Sequence, residues 1–552
     1  MGDKWGWGPL RGLMRVTCIG GMAVTGGCLP QSNNDDDAKQ PMMSFAGSGS
    51  DATVNRSEKT DALSQVVAST RNLLAVGEPE TPRASTVQST AREDRAVNSI
   101  PLSPPPSALP SVLPAVETED APAATALSGF FKTLSALESA RIDSAVTILH
   151  LGDSHIAADR FSGDMREQFQ SRFGNAGRGM VMPGLYTSRG VKFEQGGTWQ
   201  AALSTGGTPG PYGITGVKVS AKTREDWLRV NITDRTFGWA EVTLQTGPGQ
   251  GSVIVAIDGD GKQVPLVSPT PGWKTVRLER QARELTVRPK GDGPITVHAI
   301  VTGEERAGIR YVNLGLPGAT ATTPLSWSAD EFAHDLKQIA PSLIVVGYGT
   351  EESFQDDLDM RDYESKAMAM LAALRQAAPQ ASLMVIGPPD VARLPKFAGA
   401  GARSSDVCRA LSPQERNGYS QHVREGDQRL SRWHPPIHLD EVRHVLRRAA
   451  AANHAYFWDW SKIMGGACGI HAWVHSDPAL AAADHVHLTE EGSKRSARLL
   501  FRELMTSYDT YDRAVATGEG GWKPAVAPTQ AAPAPVAAKA PATAASKRKA
   551  AR

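Results

Sequence analysis

Three residues could supply a nucleophile and its proton acceptor, although they are far apart in the chain. Ser154 follows the apolar, β-branched run TILHLG, and parallel sheets build their sites at the carboxyl ends of such strands. Asp484 and His487 are three residues apart in ADHVHLT, so the carboxylate can orient the imidazole while its other nitrogen reaches a serine. His485 is out of phase with Asp484 and is expected to face elsewhere. These residue types predict acyl transfer through Ser154, although each segment alone is also ordinary turn chemistry.

The segments around these residues alternate between strand and helix patterns. Apolar, strand-like runs occur at VTILHL, RYVNLGL, PSLIVVGYG, ASLMVIGPP and AYFWDW, and helical periodicity fills most of the segments between them. Short β-rich runs separated by helices favour a parallel sheet that is covered on both faces. The sequence therefore predicts an α/β fold that brings the carboxyl ends of its strands to one edge.

The segment 190–308 interrupts this alternation, because it has many strand patterns and no convincing helix. Its alternating runs include DWLRVNI, WAEVTLQT, SVIVAID and ITVHAIV, and the stretches DGDGK and KGDGP favour tight hairpins. Their number and spacing indicate a β-sandwich or jelly-roll inserted in the α/β domain.

Both ends of the chain differ in composition from its centre. A basic start precedes a short apolar run, Val16 to Gly27, which is typical of a signal for export, and VTGGC resembles a lipobox with Cys28 as the lipidated residue. We expect a signal peptide at 1–28, a disordered Pro/Ser-rich tether at 29–125 and a disordered Ala/Pro/Lys-rich tail at 513–552. A signal that is cleaved elsewhere remains the alternative for Cys28, and whether the basic tail binds anything stays open.

The composition excludes some partners and cofactors. Lys and Arg total 59 and Asp and Glu total 58, so a net charge of +1 gives no field that would attract nucleic acid. No His, Cys and Asp cluster has the spacing of metal ligands, so no metal or organic cofactor is predicted. Cys408 and Cys468 are the cysteines outside the expected signal, and export would allow a disulfide, but the sequence does not show whether they pair.

Four segments together resemble the GDSL/SGNH hydrolase superfamily. GDSH around Ser154 and DHVH with His487 resemble its first and last blocks, and NLGLPGATA resembles its glycine block. This resemblance implies that the backbone N–H groups of Ser154 and Gly318 form an oxyanion hole. In the remaining block, LIVVGYGTEESF, Glu351 stands where the family has its oxyanion-hole asparagine.

Glu351 is a departure from the family pattern that affects the chemistry. An ionised carboxylate cannot donate a hydrogen bond, and loss of one oxyanion-hole donor costs roughly 10²–10³ in kcat. Four interpretations stay open: a protonated Glu351, a side chain that points away, an oxyanion hole made by Ser154 and Gly318 alone, and a weak or inactive enzyme.

A more specific resemblance, over about 127–511, is to bacterial exported peptidoglycan O-acetylesterases, which are SGNH esterases with an inserted β-sandwich. It implies a flavodoxin-like three-layer hydrolase domain in two parts, 126–189 and 309–512. The sandwich between them, at 190–308, would be similar to a carbohydrate-binding module. The resemblance also implies a location in the periplasm or cell envelope, with membrane contact only through a lipid on Cys28.

The function that this resemblance implies is removal of O-acetyl groups from an envelope glycan, with peptidoglycan N-acetylmuramic acid as the first choice. Ser154 would be the nucleophile, His487 the base and Asp484 its orienting partner. An esterase for another acetylated polysaccharide and a glycan O-acyltransferase would use the same residues. An envelope glycan-binding protein with a weak or inactive site is the alternative from another class.

Overall fold

The structure is a computed structural model that describes residues 122–184, 188–399, 401 and 407–517. The predicted signal peptide with Cys28, nearly all of the predicted tether and most of the predicted tail lie outside these residues. Sixteen strands are present in the described residues. In chain order they are β1 (Ala145–Gly152), β2 (Gly179–Val181), β3 (Val191–Gly196), β4 (Gln200–Leu203), β5 (Val217–Ala221), β6 (Trp227–Ile232), β7 (Phe237–Thr246), β8 (Ser252–Ile257), β9 (Asp260–Pro265), β10 (Gly272–Ala282), β11 (Glu284–Pro289), β12 (Ile295–Gly303), β13 (Gly308–Gly315), β14 (Leu343–Gly347), β15 (Ser382–Gly387) and β16 (Tyr456–Asp459).

The α-helices of the described residues follow most of the parallel strands. In chain order they are α1 (Ala123–Ala126), α2 (Ser128–Glu138), α3 (Ser154–Ala157), α4 (Phe161–Phe173), α5 (Ala329–Ile339), α6 (Thr350–Ser353), α7 (Met360–Ala377), α8 (Pro413–Arg416), α9 (Tyr419–Arg424), α10 (Leu439–Ala452), α11 (Trp460–Met464), α12 (Gly469–Val474) and α13 (Glu490–Thr517). Three short 3-10 helices, at Ser204–Gly206, Thr323–Ser326 and Gln428–Leu430, complete the set.

Five of the strands form a parallel sheet in the order β13-β1-β14-β15-β16. Helices cover both of its faces, so these strands are almost continuously apolar and buried. On β1, Val146 and Ile148 belong to the core beneath α2, α4 and α13, whereas Leu149 and Leu151 belong to the core beneath α7 and α10. The register pairs Gly152 with Gly315 and Gly347, so three strands end together at one edge.

The antiparallel strands form two further sheets. One has the order β10-β7-β12-β5-β4, with β2 also paired to β12, and the other has the order β3-β6-β11-β8-β9. Their inner apolar residues share one hydrophobic core with the α7 and α10 side of the parallel sheet. The predicted fold class, a parallel sheet covered by helices with an inserted antiparallel β-structure, is confirmed.

Several element boundaries differ from those predicted. Strand β2 lies before residue 190 but pairs with β12, which buries Met180. The strand in the run AYFWDW ends at Asp459, because the Asp459 side chain accepts the N–H of Ser461 and caps α11. The hairpin at DGDGK turns at Asp258 and Gly259, which both have positive φ, so Asp260 already begins β9.

The α/β part of the fold extends slightly beyond the predicted boundaries at 126 and 512. Helix α1 precedes residue 127, and the Leu127 side chain is fully buried. Helix α13 continues to Thr517. Its residues Tyr508 and Tyr511 pack on Phe131 with ring centroids 5.8 and 5.9 Å away. Among the described residues, no helix combines the length and the apolar character needed to cross a membrane.

Candidate active site

Ser154 is the first residue of α3, directly after β1. The Asp153 side chain caps this short helix by accepting the N–H of His155 at 3.0 Å. Gly152 is needed for close packing, because a Cβ there would lie 2.7 Å from the carbonyl oxygen of Gly347 and 2.4 Å from the Ile156 side chain. The turn therefore holds Ser154 at the edge where β1 and β14 end.

The structure brings Ser154, His487 and Asp484 together. Ser154 Oγ lies 3.2 Å from His487 Nε2, and His487 Nδ1 lies 2.8 Å from Asp484 Oδ2. Because a carboxylate accepts, Nδ1 carries the proton and Nε2 presents a lone pair to the Ser154 hydroxyl. A hydroxyl, a proton acceptor and an orienting carboxylate are thus connected in one hydrogen-bonded series.

Backbone amides of its own loop hold the Asp484 side chain in place. Its Oδ1 accepts the backbone N–H groups of Val486 and His487, both at 2.9 Å. Partial burial opposes the charge of this carboxylate, but the hydrogen bonds and charge of His487 and the amide of Val486 lower the pKa of Asp484 to about 2. The side chain is therefore ionised at neutral pH.

His485 contacts a different group of residues. Its ring stacks on Trp433 with centroids 3.6 Å apart, and its Nε2 lies 2.8 Å from Nδ1 of His471. Burial lowers the pKa of His485 to about 4. His485 therefore packs the loop that carries His487 and does not face Ser154.

Gly318 lies in the turn after β13, which is joined to the turn that carries Ser154. The N–H of Leu316 donates to the carbonyl of Gly152 at 2.9 Å, which joins the two turns. Gly318 has φ +74, a conformation that favours glycine, whereas the nearest neighbour of an added Cβ would be Thr205 at 4.0 Å. Backbone conformation, not crowding, is thus the reason for a glycine here.

Glu351 lies in the short helix α6 that follows β14, and it is directed to the same place. The backbone N–H of Gly318 interacts with its carboxylate. Burial and the charge of Asp153 raise the pKa of Glu351, while His155, His487 and the Gly318 amide act in the opposite direction. The side chain therefore occupies the region where the resemblance expects an oxyanion-hole donor.

Glu352, which the sequence analysis did not single out, connects the two loops that carry Gly318 and Glu351. Its Oε1 accepts the N–H of Ala321 at 2.8 Å, and its Oε2 accepts the N–H of Gly349 at 3.1 Å. The side chain is 2% exposed. A glutamate three residues after an N-cap, here Gly349, is the capping-box signal that could have identified it.

A buried ionic cluster packs against the turn that carries Ser154. Asp159 bonds to the guanidinium groups of Arg166 and Arg178, at 2.9 and 3.2 Å. Asn313, the first residue of the glycine block, donates to Asp159 and to the carbonyl of Ile156, both at 2.9 Å. No motif in the sequence predicted this cluster, because its members are brought together only by the tertiary fold.

Three tryptophans near the C-terminal motif belong to the core. Trp458, Trp460 and Trp473 are 3%, 2% and 6% exposed. Trp460 donates from Nε1 to Ser496 Oγ at 3.0 Å. These side chains are not available to stack on a sugar ring.

A disulfide joins Cys408 to Cys468, 60 residues further along the chain. It links the segment after the undescribed residues 402–406 to the residue that precedes α12. Across the described residues, His, Cys, Asp and Glu side chains form no group of three or more that could hold a metal ion.

Residues 280–500 match a family model described as GDSL-like lipase/acylhydrolase. A solved structure titled "Peptidoglycan O-acetylesterase in action, 5 min" is similar to this chain with a TM-score of 0.56 and 24% identity, over 69% of this chain and 96% of the other. An acetyl xylan esterase has a TM-score of 0.23 and 13% identity, over 35% and 80% of the two chains. A family two carbohydrate esterase from Cellvibrio japonicus has a TM-score of 0.21 and 11% identity, over 57% and 99%. No curated protein is similar enough to count as a relative.

The family-model match lies over the second part of the parallel sheet and the loop that carries Asp484 and His487, and the whole fold is similar to that of the peptidoglycan O-acetylesterase structure. The predicted resemblance to the GDSL/SGNH hydrolases is thus confirmed, with an acylhydrolase model matching part of the chain. Its fold is shared with the peptidoglycan O-acetylesterase structure, including most of that chain. The other two structural similarities are too low to bear on function.

Proposed function

We propose that this chain is a serine esterase that removes O-acetyl groups from an envelope glycan through an acetyl-enzyme on Ser154. The observation that carries the proposal is the hydrogen-bonded series from Ser154 Oγ through His487 to Asp484, with distances of 3.2 and 2.8 Å. Packing alone does not require a hydroxyl, an imidazole and a carboxylate in that order, because two of the three side chains are partly exposed.

In the first step Ser154 Oγ attacks the acetyl carbonyl carbon, and its proton moves to Nε2 of His487. The tetrahedral oxyanion is stabilised by the N–H groups of Ser154 and Gly318. Ser154 is the first residue of α3, and the first amides of a helix have no partner within that helix. Collapse breaks the bond to the sugar oxygen, which leaves with the proton from His487.

In the second step a water molecule attacks the acetyl carbonyl and gives its proton to the same nitrogen. Acetate leaves as the Ser154 oxygen recovers that proton. Asp484 keeps the imidazole in one orientation and stabilises its charged form in both steps. The chain's own residues supply all proton transfers in this scheme.

We propose an acetylated glycan as the substrate, with peptidoglycan N-acetylmuramic acid first. The support is the fold shared with the peptidoglycan O-acetylesterase structure over nearly its whole length. With this function we propose the predicted organisation of the chain. It comprises a signal peptide at 1–28 with lipidation at Cys28, a tether that ends before α1, two hydrolase parts on either side of an inserted β-sandwich at 190–308, a tail that begins after α13 and a place in the cell envelope.

One observation favours a second candidate, an envelope glycan-binding protein with a weak site. The carboxylate of Glu351 faces the amide of Gly318, where it competes with a substrate oxyanion for the same donor. A neutral Glu351 would instead donate, because a protonated carboxyl carries one O–H. The two candidates therefore differ in the activity of the unmodified chain.

The test compares wild type, Ser154→Ala and Glu351→Asn on p-nitrophenyl acetate, O-acetylated peptidoglycan and acetylated xylan. If wild type releases acetate from peptidoglycan and Ser154→Ala does not, the proposal is supported. If wild type prefers acetylated xylan, the substrate is another acetylated polysaccharide. Activity that survives Ser154→Ala contradicts the nucleophile assignment. An inactive wild type with an active Glu351→Asn variant supports the binding protein, and acetyl groups found on an added glycan acceptor indicate a transferase.

A further inference from the structure

His155, the residue after the nucleophile, connects two separate parts of the site. Its Nε2 lies 3.0 Å from the carbonyl oxygen of Val486, and its Nδ1 lies 3.3 Å from Asp153 Oδ1. The side chains of His155 and Asp153 are only 4% and 2% exposed. The ring therefore bridges the end of β1 and the loop that carries the base, 331 residues further along the chain.

The partners of this ring determine where its protons are. A carbonyl oxygen only accepts, so Nε2 carries a hydrogen, and the carboxylate of Asp153 requires a proton between it and Nδ1. Burial opposes a charge on both groups, but their mutual hydrogen bond and attraction raise the pKa of His155 and lower that of Asp153. Both ring nitrogens thus face an acceptor, an arrangement that favours an imidazolium paired with the Asp153 carboxylate beside Ser154.

The surroundings of the ring include most of the charged groups of the site. From the loop of the base, Asp484 adds to the attraction, and the His487 ring lies 5.5 Å away at an angle of 30°. From α6, Glu351 interacts electrostatically with both members of the pair. The Trp460 ring, in α11, packs on the His155 ring in a T-shaped arrangement with centroids 5.8 Å apart.

We propose that His155 is a positioning residue that holds His487 at hydrogen-bond distance from Ser154 by fixing the carbonyl of Val486. Val486 lies directly before His487, and its N–H is already bonded to Asp484 at 2.9 Å. His155 and Asp484 thus hold the same peptide segment from two sides. The effect on rate rests on the function proposed above, whereas the hydrogen-bond bridge does not.

The test uses His155→Gln, Asp153→Asn and the double variant, with His444→Gln as the matched control on the exposed side of α10. In His155→Gln we expect kcat on p-nitrophenyl acetate to fall about 10²-fold with little change in KM, because a misplaced base slows the chemical step. His444→Gln keeps wild-type rates. A change in kcat of less than about twofold in His155→Gln overturns the proposal.

The pH profile distinguishes positioning by an ion pair from simple loss of packing. Without the imidazolium, the Asp153 carboxylate near His487 favours protonation of the base, so the acid limb of kcat/KM moves to higher pH in His155→Gln. The double variant removes both charges, so we expect its acid limb of kcat/KM to return towards the wild-type pH. An acid limb at the same pH in the single and double variants overturns the ion-pair assignment.

A measurement that needs no activity separates this proposal from the proposed function. An inactive wild type contradicts the esterase, but imidazole ¹⁵N spectra and amide hydrogen exchange still report on His155. We expect two protonated ring nitrogens for His155, and faster exchange at Val486 and His487 in His155→Gln than in Ser154→Ala. A neutral ring with unchanged exchange overturns the bridge.

Discussion

Ser154 Oγ lies 3.2 Å from Nε2 of His487, although 333 positions separate the two residues in the chain. Four connections make this contact possible. Gly152 lets β1 end against Gly347, Asp153 caps the turn, His155 reaches Val486, and Asp484 bonds the amide and the ring of His487. The position of the proton acceptor is therefore fixed by backbone as well as side-chain hydrogen bonds.

Replacement of Asp484 by asparagine tests the orienting role. We expect kcat to fall about 10²–10⁴-fold, because an amide can present its NH₂ to Nδ1 and favour the wrong tautomer of His487. Steady-state hydrolysis of p-nitrophenyl acetate measures the effect, with Asp477→Asn, an exposed carboxylate upstream in the same loop, as the control. Equal rates for the two variants would show that the carboxylate of residue 484 is not required.

Glu351 predicts an unusual dependence on pH. Its pKa is raised by burial and by Asp153, so as the pH falls the neutral form, which can donate to an oxyanion, becomes more abundant. Glu351→Asn carries a donor at every pH, so the ratio of its kcat to that of wild type should decrease as the pH is lowered from about 8 to about 5. Glu491→Gln, on the exposed first turn of α13, gives the control. A ratio that does not vary with pH would contradict this role.

Glu352 predicts that stability depends on pH. Burial raises its pKa from 4.5 to about 7, so the folded state holds an extra proton between these values. The free energy of unfolding should therefore fall as the pH rises through this window, by up to about 3 kcal/mol, and level off above it. Denaturant titrations of wild type and Glu352→Gln measure this, with Glu441→Gln on α10 as the exposed control. We expect the free energy of unfolding to depend less on pH in Glu352→Gln than in wild type or Glu441→Gln. The same pH dependence in all three proteins would refute the assignment.

The disulfide predicts a contribution to stability that can be separated from the chemistry. Removal of both cysteines, Cys408→Ser with Cys468→Ser, should lower the free energy of unfolding by about 2–4 kcal/mol, because a closed loop of 60 residues restricts the unfolded chain. The disulfide also adjoins the loop of His487: the residue after Cys408, Arg409, donates its N–H to the carbonyl of Trp433, and the Trp433 ring packs on His485. Thermal and denaturant unfolding with and without a reductant measure the effect. Equal stability of the oxidised wild type and the double variant would show that the bond does not contribute.

The strands of the parallel sheet could be recognised from the sequence for a simple physical reason. Both faces of the sheet are covered, so runs such as LIVVG are apolar at every position. Strand β9 has only Val264 buried and contains the turn-like residues of DGDGK, so its residues resembled a loop. The short strands β3, β4 and β5 gave similarly little signal.

The predicted site residues came from short motifs, and their neighbours could not be found in the same way. Ser154, Asp484 and His487 stand in recognisable segments, whereas the roles of His155 and Glu352 depend on backbone groups from other loops, Val486 and Ala321. The bonds from His155 to Val486 and from Glu352 to Ala321 leave no spacing pattern in the sequence, and only the capping-box spacing of Glu352 after Gly349 could have been noticed. The assignment of all these residues to catalysis stays a prediction that kinetics must decide.

The most direct test of the account is detection of the acetyl-enzyme. Wild type and Asp484→Asn are mixed with p-nitrophenyl acetate, quenched in acid within the first turnovers and digested, and the peptide that contains Ser154 is analysed by mass spectrometry. We expect one acetyl group on Ser154 in both proteins and none on the corresponding peptide of Ser154→Ala. Release of p-nitrophenol by wild type without acetylation of Ser154, or with acetylation of another residue, would contradict it.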